Sequence, residues 1–430
     1  MNIEKIKKYI LDFHERQFNI EKRNIFLEKT DKILTIIGPR RTGKTYLIYE
    51  YIEQIKSEGI PDDNIFYINF ESTLFYNITV NEMSELFNVF KSFSNYSTKF
   101  PLYFFIDEPQ VVENWEIVIR ELYDNTNCKI FITGSSSKLL SKDIATCLRG
   151  RTISKTVFPL SFKEFLSFNK IFLSNNKISS SVEKKLILKF QEYLKLGGYP
   201  EVALEPHNNL RICRDYYDLV IFKDIIERYK IQNTKIIKFL MNSLINSISK
   251  EFSVNKLFNS LKSQGIKLGK NTLYDYLSIL EDSLFVFLLK KFEYNKIDLE
   301  LSIPKIYLND ISFLNLFSLE DYGKRLENIV FVELKRRIEE SPFLSLNYFK
   351  DSNGREIDFI VKKGKNPVEA IQVCFDINNE DTRDREIKPL IYFLEKFNLK
   401  KGLIITAFTE ETLKIEGKLI QLIPAWKWLL

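Results

Sequence analysis

Histidine is nearly missing from this chain. Only His14 and His207 occur in 430 residues, and neither sits in a recognisable motif. A histidine base is therefore not expected, and any general base is a carboxylate. Cysteine is almost as scarce. Cys128, Cys147, Cys213 and Cys374 lie far apart, with no C-x-x-C pair, so the ligand spacing of a zinc site is lacking. A reduced, intracellular setting is expected. No apolar run approaches the ~18 residues that cross a bilayer. The longest, residues 284–289, has the length of a buried core segment. The opening stretch MNIEKIKKYILDFHERQF is charged throughout and has no signal-peptide core. These gaps together predict a soluble cytoplasmic protein. Internal repeats, low-complexity tracts and long linkers are missing too, which blurs the domain edges.

What is present is ordinary in amount and informative in pattern. A chain of 430 residues implies two or three domains. Hydrophobic residues make up 45% and charged residues 28%, a globular balance. The 36 Phe and 21 Tyr predict cores rich in rings. The net charge of +6 permits nucleic-acid binding without arguing for it, because binding needs a local patch.

The spacing predicts helix over the first 30 residues. Apolar, β-branched runs follow at 33–37, 65–70, 102–106, 130–133 and 152–157, alternating with amphipathic segments such as 46–57 and 115–123. Flat apolar runs suit strands buried on both faces of a parallel sheet, and the alternation predicts an α/β layer fold. Residues 161–249 read as mostly helical, broken by the turn signal Gly197-Gly198-Tyr199-Pro200. Strands return at 305–308, 347–350, 357–362, 370–375 and 401–406.

The first strand runs into Gly38-Pro39-Arg40-Arg41-Thr42-Gly43-Lys44-Thr45, which is G-x-x-x-x-G-K-[ST] between a strand and a helix. In such a loop, glycines let backbone N–H groups approach phosphates, and the helix N-terminus adds a positive dipole end. Lys44 is expected on the β- and γ-phosphates of ATP and Thr45 on Mg²⁺. A second apolar strand ends in Asp107-Glu108. Asp107 is expected to hold Mg²⁺ through water, and Glu108 to polarise the attacking water. A third strand tip carries Ser135 as a γ-phosphate sensor, with Thr133 and Ser136 able to serve as well. Arg149 and Arg151 follow. An arginine beside a phosphate site neutralises transition-state charge, and a solvated turn explains the same residues equally well.

The set GPRRTGKT, FFIDEPQ, FITGSSSKLL, LRGRT and PLSFKEF resembles the archaeal-type AAA+ ATPases, close to the STAND and origin-recognition clades. The resemblance continues through GGYPEV and YYDLVIFKDIIER. It implies that Lys44 and Thr45 are the Walker A pair, Asp107 and Glu108 the Walker B pair, Ser135 the sensor and Arg151 the arginine of a GR motif. It further implies a core over 1–160, a helical lid over 161–232, a winged helix over 233–300 and a restriction-endonuclease-like domain over 301–430.

Two of these regions can be weighed residue by residue. Helical segments at 253–261 and 271–280, joined at Gln264-Gly265-Ile266, form a helix-turn-helix pattern, with 284–289 as a wing strand. Residues 250–296 hold 8 Lys and no Arg against 5 acidic residues, a modest excess that suits packing as well as DNA binding. In the C-terminal region, Glu333, Asp358, Gln372 and Cys374 fall where the resemblance implies a helical Glu, an Asp and an E-x-K. Gln stands for Glu and Cys for Lys, and hard Mg²⁺ wants oxygen ligands. A degenerate, non-cleaving domain is expected. The whole reads as an ATP-hydrolysing switch or remodeller that binds ATP and ADP, with DNA as a candidate partner. The rivals are an ATP-dependent nuclease and a slow-turnover signalling NTPase.

Overall fold

The computed structural model describes residues 3–23, 25–135, 148, 150–173, 179–341 and 343–430. The chain divides into two compact units, Met1–Val157 and Phe158–Leu430. Among the described residues, no helix is long and apolar enough to cross a membrane.

The first unit runs α1 (Ile3–His14), β1 (Ile33–Ile37), α2 (Lys44–Ser57), β2 (Ile65–Asn69), α3 (Val80–Phe93), β3 (Leu102–Asp107), α4 (Trp115–Asn125), β4 (Cys128–Gly134) and β5 (Thr152–Thr156). All five strands are parallel, in the order β2-β3-β4-β1-β5. Their apolar runs are explained by the two covered faces. Leu34, Ile36, Tyr67, Phe105 and Phe131 pack with Leu47, Ile48, Tyr51 and Ile52 of α2. On the other face, Phe66 and Phe104 meet Phe87 and Phe90 of α3 edge-on or tilted. A strand with both faces buried needs no polar alternation. The result is the α/β parallel sheet of a P-loop NTPase, as the pattern predicted. Strand β4 lies between β1 and β3, so Thr133 pairs in register with both Ile36 and Asp107.

One expectation fails at the N-terminus. The helix predicted over 30 residues stops at His14, and residues 16–23 and 25–32 are irregular. Phe18, Ile20, Ile25 and Leu27 reach the core on the α2 side. Arg23, buried, donates its backbone N–H to Glu50 (3.2 Å) and its guanidinium to the Thr42 carbonyl (2.6 Å). Tertiary contacts here override helical spacing.

The second unit begins with helices α5 (Phe162–Phe168), α6 (Ser180–Leu196), α7 (Pro200–Leu204) and α8 (Asn209–Leu219). A π-helical stretch, Val220–Glu227, prolongs α8. The Gly-Gly-Tyr-Pro turn joins α6 to α7. Gly198 N–H donates to the buried Asp310 carboxylate at 2.7 Å, and a Cβ on Gly197 would lie 2.1 Å from the same carboxylate. That contact requires glycine at 197. Next come α9 (Thr234–Asn246), α10 (Val254–Ser263), α11 (Lys270–Asp282), β6 (Val286–Leu289), α12 (Lys296–Leu301) and β7 (Lys305–Leu308). Strand β6 pairs antiparallel with β7, and residues 248 and 251 bridge to 306 and 305.

The unit ends with α13 (Tyr322–Glu339), β8 (Leu344–Lys350), β9 (Glu356–Lys363), β10 (Asn366–Cys374), α14 (Glu380–Lys396), β11 (Lys401–Thr406), β12 (Glu411–Ile415), β13 (Lys418–Pro424) and α15 (Ala425–Trp428). The sheet order is β12-β13-β11-β10-β9-β8. Strands β8 to β10 form an antiparallel meander, and α14 crosses over to a parallel β11. Phe359, Val361 and Ile371 face the core shared with α13. Ile357, Ile360, Ala370, Cys374 and Ile404 face Ile387, Leu390 and Leu394 of α14.

Candidate nucleotide-binding site

The loop 38–45 leaves the C-terminal end of β1 and enters α2. At Gly38 a Cβ would lie 2.2 Å from the Val157 carbonyl, so only glycine fits there. Gly43, at φ 90°, caps α2 without a side-chain cap, which leaves the first amides of a 14-residue helix to an outside acceptor. Lys44 is almost fully buried. Its ammonium donates to the carbonyls of Gly38 (2.9 Å) and Pro39 (3.0 Å) and lies 3.9 Å from the Glu108 carboxylate. Thr42 is buried and donates to the Pro39 carbonyl at 2.8 Å.

Asp107 ends β3 opposite this loop and is buried. Three hydroxyls donate to it: Thr45 Oγ1 (2.8 Å), Tyr67 Oη (3.0 Å) and Thr133 Oγ1. The two residues predicted to hold Mg²⁺, Thr45 and Asp107, are thus in direct contact. One hydroxyl and one carboxylate suit a cation that takes its remaining oxygens from phosphates and water. Burial and the Asp107 carboxylate push the Tyr67 phenol up, so it stays a donor.

Glu108 sits one residue beyond the strand at φ 54°, a region non-glycine residues seldom occupy and one that clusters at functional sites. Its carboxylate makes no cap to the turn that follows. It accepts instead from Gln110 Nε2 and, at 3.3 Å each, from the backbone N–H and the hydroxyl of Ser135. Burial raises its pKa, and Lys44 opposes that shift. A carboxylate held above its ordinary range beside an ammonium can take a proton from water at neutral pH.

The structure therefore brings together Lys44, Thr45, Asp107, Glu108 and Ser135, with Thr133 on Asp107. Arg151 is placed elsewhere. It immediately precedes β5, which runs parallel to β1 with Thr152 beside Ile33, at the end of the sheet away from the loop. There it pairs with Asp124 at 3.0 Å. Ser136 and Arg149 lie outside the described residues. Sequence reasoning missed Tyr67, Arg23 and Glu71. Tyr67 carried a signal, since period-two alternation along β2 sets it toward α2 with Ile65.

The C-terminal candidates separate. Asp358 and Gln372 are neighbours: Gln372 Oε1 accepts from the Asp358 N–H at 2.8 Å, and Asp358 accepts from the Val373 N–H at 3.0 Å. Glu333 is bound by Arg336 and by Arg337 Nε (2.8 Å) of its own helix. Cys374 faces the α14 core, and burial pushes its thiol up to about 12. The residues that do join Asp358 are Lys305, buried, with its ammonium 2.7 Å from Glu356, 3.0 Å from Asp358 and 3.4 Å from Glu327. Tyr307 donates to Glu327 at 2.7 Å, and Gln372 Nε2 to Glu386 at 3.0 Å. Burial alone would lower the Lys305 pKa, but the surrounding carboxylates outweigh it and hold it raised. Arg355 pairs with Asp351 at 2.7 Å and lies over the Tyr392 ring. Among the described residues, no group of three or more His, Cys, Asp or Glu is arranged to hold a metal ion.

The parallel sheet, the loop and the acidic strand tip are those of a P-loop NTPase core. Residues 30–166 match the AAA domain, 187–322 a domain of unknown function (DUF8612) and 322–428 another (DUF4143). The chain is 39% identical to uncharacterized protein MJ1544 of Methanocaldococcus jannaschii, over 93% of this chain and 88% of that one. It is 32% identical to an uncharacterized protein of Haemophilus influenzae, over 94% and 96%. It belongs to one family with these proteins. Among solved structures, Cdc6p from Pyrobaculum aerophilum is similar at 13% identity over 59% of this chain and 80% of that one, with a TM-score of 0.27, a likeness too slight to bear on function.

Proposed function

We propose that the protein binds ATP with Mg²⁺, hydrolyses it, and uses the cycle as a switch or remodeller. The observation that carries this reading is the convergence of Lys44, Thr45, Asp107, Glu108 and Ser135 on one glycine-containing loop at a helix N-terminus. Thr45 and Asp107 would hold Mg²⁺, which when bound neutralises phosphate charge. The loop amides and Lys44 bind and orient the phosphates. Glu108 accepts the proton of the attacking water, and Ser135 fixes the carboxylate that does so.

The order α9, residues 248–251, α10, α11, β6, β7 supports a winged-helix reading, and Lys262, Lys267 and Lys270 are exposed on it. DNA is the partner this favours. The meander and crossover of β8 to β11 support a nuclease-like reading of the C-terminal region. Lys305 within its carboxylates, and a buried neutral Cys374, support one that does not cleave. The test is ATP turnover with and without single-stranded, duplex and branched DNA, with strand cleavage followed in Mg²⁺ and Mn²⁺. Turnover with no cleavage is expected. Cleavage that vanishes in Asp358→Ala would promote an ATP-dependent nuclease, and a wild type that neither binds nor turns over ATP would end the proposal.

A further inference from the structure

Arg40 is the third residue of the phosphate loop, and its guanidinium grips Glu71 through two parallel bonds, Nη1 to Oε2 at 3.0 Å and Nη2 to Oε1 at 2.7 Å. Glu71 lies just past β2, where its N–H donates to the Asn69 side chain at 2.8 Å. Asn69 pairs in register with Asp107. The pair thus ties the loop to the strand end beside the acidic tip. It sits at the end of the loop toward which the Lys44 ammonium reaches. Lys44, the residue that reaches β- and γ-phosphates, bonds the carbonyls of Gly38 and Pro39, immediately before Arg40. Arg40 and Glu71 also both act on the Glu108 carboxyl through space, in opposite senses.

The side chains are 18% and 37% exposed, so the pair is partly open to solvent and to a ligand at the loop. A guanidinium fork suits a phosphate as well as it suits a carboxylate, and a terminal phosphate carries more charge. Glu71 and a third phosphate are therefore competitors for one cation.

We propose that Arg40 is the positioning residue that distinguishes ATP from ADP: the third phosphate draws it away from Glu71, and a diphosphate leaves it there. The inference rests on the loop 38–45 being the nucleotide site. The exchange would alter the charge beside Glu108 only when a third phosphate is present.

The test is equilibrium binding of Mg²⁺-AMP-PNP and Mg²⁺-ADP, by calorimetry, to the full chain. Arg40→Ala is expected to weaken AMP-PNP about tenfold, the loss of one charge-assisted pair, and to leave ADP within about twofold. Glu71→Gln, which keeps the shape and removes the competing charge, is expected to tighten AMP-PNP and spare ADP. Arg40→Lys, lacking the fork, is expected to fall between wild type and Arg40→Ala. Equal weakening of both nucleotides by Arg40→Ala would reduce Arg40 to a loop support and overturn the proposal. So would an unchanged AMP-PNP affinity in Glu71→Gln. If Lys44→Ala binds both nucleotides as wild type does, the site itself is misplaced, a failure distinct from either.

Discussion

Two regions of this chain place a lysine among carboxylates at strand ends, and they use it in opposite ways. At the phosphate loop, Lys44 is bonded to its own loop carbonyls and stands 3.9 Å from Glu108. Its charge and that of Asp107 are held separately, the ammonium by carbonyls and the Asp107 carboxylate by hydroxyls. In the C-terminal unit, Lys305 is in direct contact with Glu356, Asp358 and Glu327. The first arrangement keeps the ammonium and the Asp107 carboxylate in separate hydrogen-bond sets. The second has consumed its charges internally. Residue type is therefore a weak guide to a working site, and the distance between opposite charges is a better one.

The comparison breaks first at Lys305. Replacing it by Met leaves three carboxylates facing one another at low exposure. Removing one partner of a buried ion pair costs about 3–5 kcal/mol. Lys305→Met is expected to lower the free energy of unfolding, measured by chemical denaturation, by that amount and to leave nucleotide affinity alone. A variant as stable as wild type would show that the cluster is solvated and its charges are not spent. Glu108→Gln addresses the other side. Losing the base should cut ATP turnover by about 100-fold or more while binding persists through Lys44, Thr45 and Asp107. Normal turnover would remove Glu108 from its role. Lys44→Ala should weaken ATP and ADP about 100-fold, the value of the charge-assisted bonds lost. Retained affinity would mean that the nucleotide site is not this loop.

The candidate phosphate site was legible because its chemistry is contiguous. A tight loop must bring amides, Lys44 and Thr45 to the phosphates, so their spacing is fixed within eight residues. The acidic tip was legible because five apolar residues before two carboxylates leave few alternatives. The C-terminal cluster was not, because it is assembled across distance. Lys305 is 53 residues from Asp358 in the chain. Glu327 and Glu333 both lie on α13, and choosing between them requires the helical phase against the sheet. One sign was available: Glu333 precedes Arg336 and Arg337 by three and four residues, the spacing at which a helix neutralises its own acid. Strand β12 went unread because it is an edge strand whose residues alternate without a flat apolar run, and β13 because Gln421 interrupts its apolar run.

The smallest effect concerns the Gly-Gly-Tyr-Pro turn, a motif that the sequence marked without a reason. Asp310 accepts from the N–H groups of Gly198 (2.7 Å) and Ser312 (2.8 Å). Burial nonetheless pushes its pKa up from 3.8 to about 6, against the pull of those bonds and of Arg325. A carboxyl whose folded pKa is raised binds more protons folded than unfolded between those values. Its contribution is complete below pH 4 and disappears as pH climbs through 6. Between pH 5 and pH 7 the expected loss is about 1 kcal/mol. Because other acids titrate over the same range, the measurement is a difference: chemical denaturation of wild type and of Asp310→Asn, each at pH 5, 6 and 7. The gap between the two curves should change by about 1 kcal/mol across the window, with wild type losing ground as pH rises. Parallel curves would mean that the carboxyl keeps an ordinary pKa, and that the turn is held by an ionised aspartate at every pH.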